Sequence, residues 1–233
     1  MNGNIIGSDP NLGALTGSPA YFPLLPGSPA IDAGDNTTCA AALVNNQSQN
    51  GVTRPQDGDD PDSAATCDIG SVEAIFPNLT AAKSNNVGGT IALGHSFTWT
   101  VTVSNSGLAG ATFAPGATLL RDDLPGGASY GAPTVQNIVN VTGSGSIICA
   151  IAANALTCTA SGGPVTLGGT SGSFAVAFSV TPSAVGALTN PDSSGLCHAD
   201  PNGVITESNE SNDCAPNTVM VNPYRLYLPL VIR

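Results

Sequence analysis

Phe97-Thr98-Trp99-Thr100-Val101-Thr102-Val103-Ser104 and Phe174-Ala175-Val176-Ala177-Phe178-Ser179-Val180-Thr181 are the two stretches that decide the fold. In both, large apolar residues recur at every second position, and hydroxyl or small residues stand between them. A period of two is that of a β-strand with one face buried. Phe97, Trp99, Val101 and Val103 are therefore predicted to share one face, as are Phe174, Val176, Phe178 and Val180. Burying Phe97, Trp99, Val101, Phe174, Val176 and Phe178 would contribute on the order of 10 kcal/mol before conformational entropy is subtracted. That suffices for an independent core. With turn signals roughly every eight to twelve residues around them, the expected architecture is an Ig-like antiparallel β-sandwich over residues 77–222.

Composition agrees with an all-β chain. Charged residues make up 9% and aromatics 5%, while Gly (28) and Pro (18) are frequent. No window repeats apolar residues at the helical spacing of 3.6. The formal net charge is −11, and the basic residues are Arg54, Lys83, Arg121, Arg225 and Arg233. Binding to nucleic acid is dominated by phosphate neutralisation, so nucleic acid and anionic membrane surfaces are excluded as expected partners. No apolar run approaches the roughly eighteen residues that a membrane-spanning helix needs.

The six cysteines are Cys39, Cys67, Cys149, Cys158, Cys197 and Cys214, with no Cys-x-x-Cys pair among them. Zinc requires clustered thiolates and imidazoles, which this spacing does not offer. An even count in a charge-poor chain reads as three disulfides formed in an oxidising, extracellular compartment. If Ala153-Asn154 is a two-residue hairpin turn, Cys149 faces Cys158 at a non-hydrogen-bonded position, where Cα atoms approach to about 4.5 Å. Cys197 and Cys214 would bracket a second hairpin. Cys39 and Cys67 would pin the polar loop between them, a bridge worth about 3–4 kcal/mol. Residues 1–13 lack the basic and apolar regions of a signal peptide, so the chain is expected to be part of a longer exported polypeptide.

Residues 1–75 read as loop-rich, with short repeats. Gly17-Ser18-Pro19-Ala20 recurs as Gly27-Ser28-Pro29-Ala30, and Ile31-Asp32-Ala33-Gly34 is echoed by Cys67-Asp68-Ile69-Gly70. Recurring strand-and-turn units mark solenoids. Leu25-Pro26-Gly27-Ser28-Pro29-Ala30-Ile31-Asp32-Ala33-Gly34, Arg54-Pro55-Gln56-Asp57-Gly58 and Asp68-Ile69-Gly70-Ser71-Val72-Glu73 resemble the C-terminal end of the choice-of-anchor Q type of bacterial surface protein. That resemblance implies the closing coils of a right-handed parallel β-helix. A coil of this kind buries its apolar face only against a neighbour, so an isolated remnant should present an open apolar edge. Phe76-Pro77 is the expected linker.

In the second part, Asn78-Leu79-Thr80, Phe97 to Gly107 and Asp123-Leu124-Pro125-Gly126-Gly127 resemble the Ig-like conserved-repeat domains of bacterial envelope proteins. Ala199-Asp200-Pro201-Asn202-Gly203-Val204-Ile205-Thr206-Glu207-Ser208-Asn209-Glu210-Ser211-Asn212-Asp213 resembles the closing hairpin of CARDB, a cell-adhesion-related bacterial domain. Both resemblances imply a sandwich at the cell surface. Tyr224-Arg225-Leu226-Tyr227-Leu228-Pro229-Leu230-Val231-Ile232-Arg233 (tail, 223–233) is similar to a Tyr-Leu-Pro-Leu-Val ending of exported proteins. It implies sorting or anchoring, or else a last strand that covers a sheet edge.

The candidate metal ligands are Asp57, Asp59, Asp60 and Asp62, whose carboxylates around Gly58 could wrap calcium. The spacing lacks the Glu and Gly of an EF-hand loop, and a solvated acidic turn is the alternative. Asp200, Glu207, Glu210 and Asp213 form a second acidic group, again with turn geometry as the alternative. His95 and His198 lack the surroundings of a catalytic histidine, and no complete catalytic set is expected. The expected function is a non-catalytic extracellular module for adhesion, display or spacing, with a surface protein or glycan as partner. The rival is the accessory C-terminal end of a β-helix polysaccharide-active enzyme.

Overall fold

The computed structural model describes residues 5–58, 64–211 and 214–224. Its strands, numbered here along the chain, pair antiparallel except for β15 (Asn217–Asn222) with β2 (Thr90–Ala92). β3 (Phe97–Asn105) alternates buried and half-buried residues over its whole length, as its period of two requires. It pairs with β12 (Ser173–Pro182), placing Trp99 opposite Phe178, Phe97 opposite Val180 and Val103 opposite Phe174. The two fold-deciding stretches are thus neighbours in one sheet, and their apolar faces form one continuous surface. β1 (Leu79–Asn85) flanks β3, while β6 (Ala128–Tyr130) and β7 (Thr134–Val139) flank β12.

The opposing layer is led by a sheet in the order β14 (Cys197–Ala199), β5 (Thr118–Asp123), β10 (Ala155–Ser161), β9 (Ser146–Ala152). Two smaller sheets complete the strands. One orders β4 (Ala111–Phe113), β11 (Val165–Leu167) and β8 (Val141–Thr142). The other orders β13 (Gly186–Asn190), β15 (Asn217–Asn222) and β2 (Thr90–Ala92), with β15 and β2 parallel. One apolar cluster unites them, centred on Trp99, Phe113, Phe174, Phe178, Leu120 and Leu156. The dry interior on which the sandwich reading depends is present.

The β9–β10 hairpin turns on Ala153 and Asn154, whose φ values of 48° and 58° are those of a type I′ turn. That turn fixes the register and sets Cys149 opposite Cys158.

Residues 5–78 are organised differently. Their described part contains a one-turn helix, α1 (Asn36–Ala40), capped by the Asp35 side chain, and isolated antiparallel bridges such as Leu12 with Leu24 and Gln56 with Thr66. No ladder of parallel coils is present among these described residues. The apolar core here is small: Ile31, Ala74 and Phe76, with Leu24 against them. So little buried hydrocarbon cannot hold seventy residues together, and polar interactions carry much of the organisation. Phe76-Pro77 is not a free linker. Phe76 is buried, its carbonyl accepts from Ala109 N–H, and the Pro77 carbonyl accepts from Ser208 N–H at 3.0 Å. Gly107 lies so close to Phe76–Asn78 backbone that a side chain there would collide with it.

Candidate functional site

The N-terminal unit is knotted around Arg54, which is buried. Its Nε donates to Glu73 Oε2 at 2.8 Å, one Nη donates to the Gly70 carbonyl and the other to the Asp68 carbonyl. Glu73 in turn accepts from the Gln56 and Asp68 N–H groups. The Asp68 carboxylate accepts from Asp32 N–H at 2.9 Å and from Ala74 N–H. Asp32 accepts from Gly58 N–H. The three motifs read from the sequence at 25–34, 54–58 and 68–73 therefore meet in one hydrogen-bonded network. Burial pushes the Asp68 carboxyl up to about 6, against its backbone donors and Arg54. Each residue of this network holds a backbone group or an opposite charge, so its chemistry is architectural.

All three expected disulfides form: Cys39–Cys67, Cys149–Cys158 and Cys197–Cys214. The Cα atoms of Cys149 and Cys158 are 4.1 Å apart, close to the value expected for a non-hydrogen-bonded pair. Cys197 and Cys214 do not bracket a strand hairpin. β14 pairs with β5 instead, and the chain from Asp200 to Ser211 is a loop that returns when Cys214 N–H donates to the Cys197 carbonyl. The Asn, Asp and Gly of that segment make turns rather than ladder bonds.

That loop carries the second acidic group. Asp200 is buried, with φ of 47°, and its Oδ2 accepts from Ile205 N–H at 2.6 Å. Glu207 is 3% exposed; its Oε2 accepts from Leu79 N–H, and its own N–H donates to Glu210 Oε1. Burial, reinforced by the Glu210 and Asp200 carboxylates and opposed by the Leu79 donor, pushes Glu207 up to about 8. The loop thus ties β14 to the first residue of β1. Asp213 lies outside the described residues.

Of the candidate calcium ligands, Asp59, Asp60 and Asp62 lie outside the described residues. Asp57 is described and lines a cleft of about 290 Å³ between the two parts, with Phe76, Asn78 and Ser208. Among the described residues, no group of three or more His, Cys, Asp or Glu could hold a metal ion. His95 stacks on Tyr224 with ring centroids 5.8 Å apart, and His198 Nδ1 bonds to the Ala199 carbonyl. The tail beyond Tyr224 lies outside the described residues.

An apolar groove of about 650 Å³ opens on the N-terminal unit, lined by Ile6, Leu12, Leu15, Tyr21, Phe22 and Leu24 among others. Ile6 is 89% exposed. No helix among the described residues is long and apolar enough to cross a membrane.

No protein-family model matches the chain, and no curated protein matches it. Solved structures do. One is the CARDB domain of the PF1109 protein of Pyrococcus furiosus, in complex with di-metal ions: 16% identity over 63% of this chain and 90% of that one, TM-score 0.36. Another is the cohesin module of a family 33 glycoside hydrolase of Clostridium perfringens: 15% identity over 65% of this chain and 100% of that one, TM-score 0.30. A third is the CBM3a-L domain of scaffoldin cipA of the Clostridium thermocellum cellulosome: 13% identity over 64% of this chain and 84% of that one, TM-score 0.27. The β-sandwich assignment rests on the strand registers of this chain itself.

Proposed function

We propose that this chain is a non-catalytic extracellular module for adhesion, display or spacing, with a surface protein or glycan as its partner. The observation that carries the reading is the junction between the two parts. Segments 76–79, 105–109 and 207–208 meet there through hydrogen bonds from Ala109, Ser208 and Leu79 N–H groups. A module that displays or spaces must hold its parts at a fixed separation, and a bonded junction meets that need. The three disulfides fit an oxidising compartment. Limited proteolysis tests the reading: protection across residues 74–80 is expected, and ready cleavage there removes the fixed-spacing reading.

The second reading, the accessory end of a β-helix polysaccharide-active enzyme, is favoured by the apolar groove on the N-terminal unit. In that second reading the groove is the face against which a further β-helix coil stacks. An assay for reducing ends released from polysaccharides separates activity from binding; their release by this chain alone would end the non-catalytic reading.

A further inference from the structure

We propose that the chain forms a two-fold symmetric dimer in which β9 pairs antiparallel with β9 of a second copy. Among the described residues β9 is the outermost strand of its sheet, bonded to β10 on one side only. Around the Ala153-Asn154 turn, Ala152 and Ala155 form the closing hydrogen-bonded pair, and bonded and non-bonded pairs then alternate. Ile151, Cys149 and Ile147 fall on the non-bonded positions, opposite Leu156, Cys158 and Ala160. Ala160 confirms the phase: its N–H donates to the Ala117 carbonyl and its carbonyl accepts from Gly116 N–H, both on the side away from β9. The N–H and C=O groups of Ile147, Cys149 and Ile151 therefore point outward, past the edge of the sheet.

Those outward groups are self-complementary. A two-fold axis at Cys149 sets Cys149 against Cys149 of the second copy, and Ile147 against its Ile151, in both directions. Each of these pairs then exchanges two backbone hydrogen bonds. Sliding the register by two residues leaves Ile147 or Ile151 without a partner, and sliding it by one turns the bonding groups away from each other. On the outer face the same axis places Ile148, which is 53% exposed, against the small Ala150 of the second copy.

Charge selects a second copy at this face. Two chains of net charge −11 repel over most of their surface, yet residues 124–191 contain no Asp, Glu, Lys, Arg or His. The edge strand Ser146-Ile147-Ile148-Cys149-Ala150-Ile151-Ala152 also lacks the Lys or Pro that usually blunts an edge. Exposed Ile138 and Val139 on neighbouring β7 extend the apolar rim. Pairing here joins the two four-stranded sheets into one.

The test is sedimentation of the full chain over roughly 1–100 μM, the range suited to a small interface. A concentration-dependent dimer is expected, and Ile148→Lys is expected to weaken it by about tenfold or more with unchanged thermal melting. The double variant Ile148→Cys, Ala150→Cys is expected to give a covalent dimer on oxidation. Within one copy these positions lie about 7 Å apart along the strand, beyond disulfide reach. A monomer throughout, a dimer indifferent to Ile148→Lys, or a dimer that does not cross-link overturns the proposal. So does a monomer whose β9 takes up an added extended peptide, which assigns the edge to a foreign strand.

Discussion

Lys83 Nζ and Asp122 Oδ1 meet at 2.7 Å with both side chains withdrawn from solvent, and they link β1 of one sheet to β5 of the other. Asn190 on β13 donates to the second Asp122 oxygen at 2.9 Å. Burial lowers the lysine's affinity for its proton and raises that of the aspartate, each opposed by the partner's charge. Removing one charge strands the other in the interior. Lys83→Ala is therefore expected to cost about 3–5 kcal/mol, while Lys83→Met with Asp122→Leu recovers much of the loss. Urea unfolding of the three proteins checks this, and equal midpoints for Lys83→Ala and the parent would refute it.

Trp99 donates through Nε1 to Asn217 Oδ1 at 2.9 Å, and the same oxygen accepts from Asn85. Asn217→Leu leaves the buried Trp99 Nε1–H without its acceptor, at a cost of about 1–3 kcal/mol. Trp99 is the only tryptophan, so its fluorescence reports the sandwich alone. Emission should be blue-shifted and resistant to acrylamide in the parent, and unfolding should begin at lower denaturant in the variant.

Two buried acids predict a pH dependence. Glu207 rises from 4.5 to about 8 and Asp68 from 3.8 to about 6, in both cases chiefly through burial. The folded state then binds more protons than the unfolded one between these limits. Each contribution to stability is fully present below the unfolded value and is lost as pH rises through the folded value. Stability should fall from about pH 4.5 towards pH 8, and Glu207→Gln should flatten most of that decline. Melting temperatures across this range decide it; a parent profile that rises towards pH 8 contradicts the assignment.

The disulfides differ in the loops they close, with sequence separations of 28 for Cys39–Cys67, 17 for Cys197–Cys214 and 9 for Cys149–Cys158. Loop entropy ranks them at about 3.6, 3.1 and 2.6 kcal/mol. Because the N-terminal unit has so small a core, Cys39→Ser with Cys67→Ser should release residues 5–75 to proteolysis while Trp99 fluorescence stays native. Loss of both signals together would show that the two parts fold as one.

The sandwich was readable because its signal is local. A period of two in Phe97–Val103 and Phe174–Val180 needs no knowledge of distant residues, and a two-residue turn at Ala153-Asn154 fixes its own register. What escaped is long-range. Lys83 and Asp122 stand 39 residues apart, and nothing near either residue announces the other. The flanking Arg121 and Asp123 pair with each other instead. The acidic run after Ala199 is expected as a hairpin from its resemblance to CARDB, whereas Asp200 Oδ2 and Glu207 Oε2 accept from backbone donors of Ile205 and Leu79 and the segment forms no ladder. Arg54, Asp68 and Glu73 lay in motifs that were singled out, but their convergence depends on the Cys39–Cys67 unit folding back on itself.

The junction has a mechanical consequence. Tension entering from the N-terminal side reaches Leu79 only after the contacts at Ala109 and Ser208 have taken their share, so the start of β1 is shielded from direct pulling. Since the Ser208 segment is closed by Cys197–Cys214, a covalent ring lies alongside the load path, and reduction of that one bond should lower the force at which the module begins to yield.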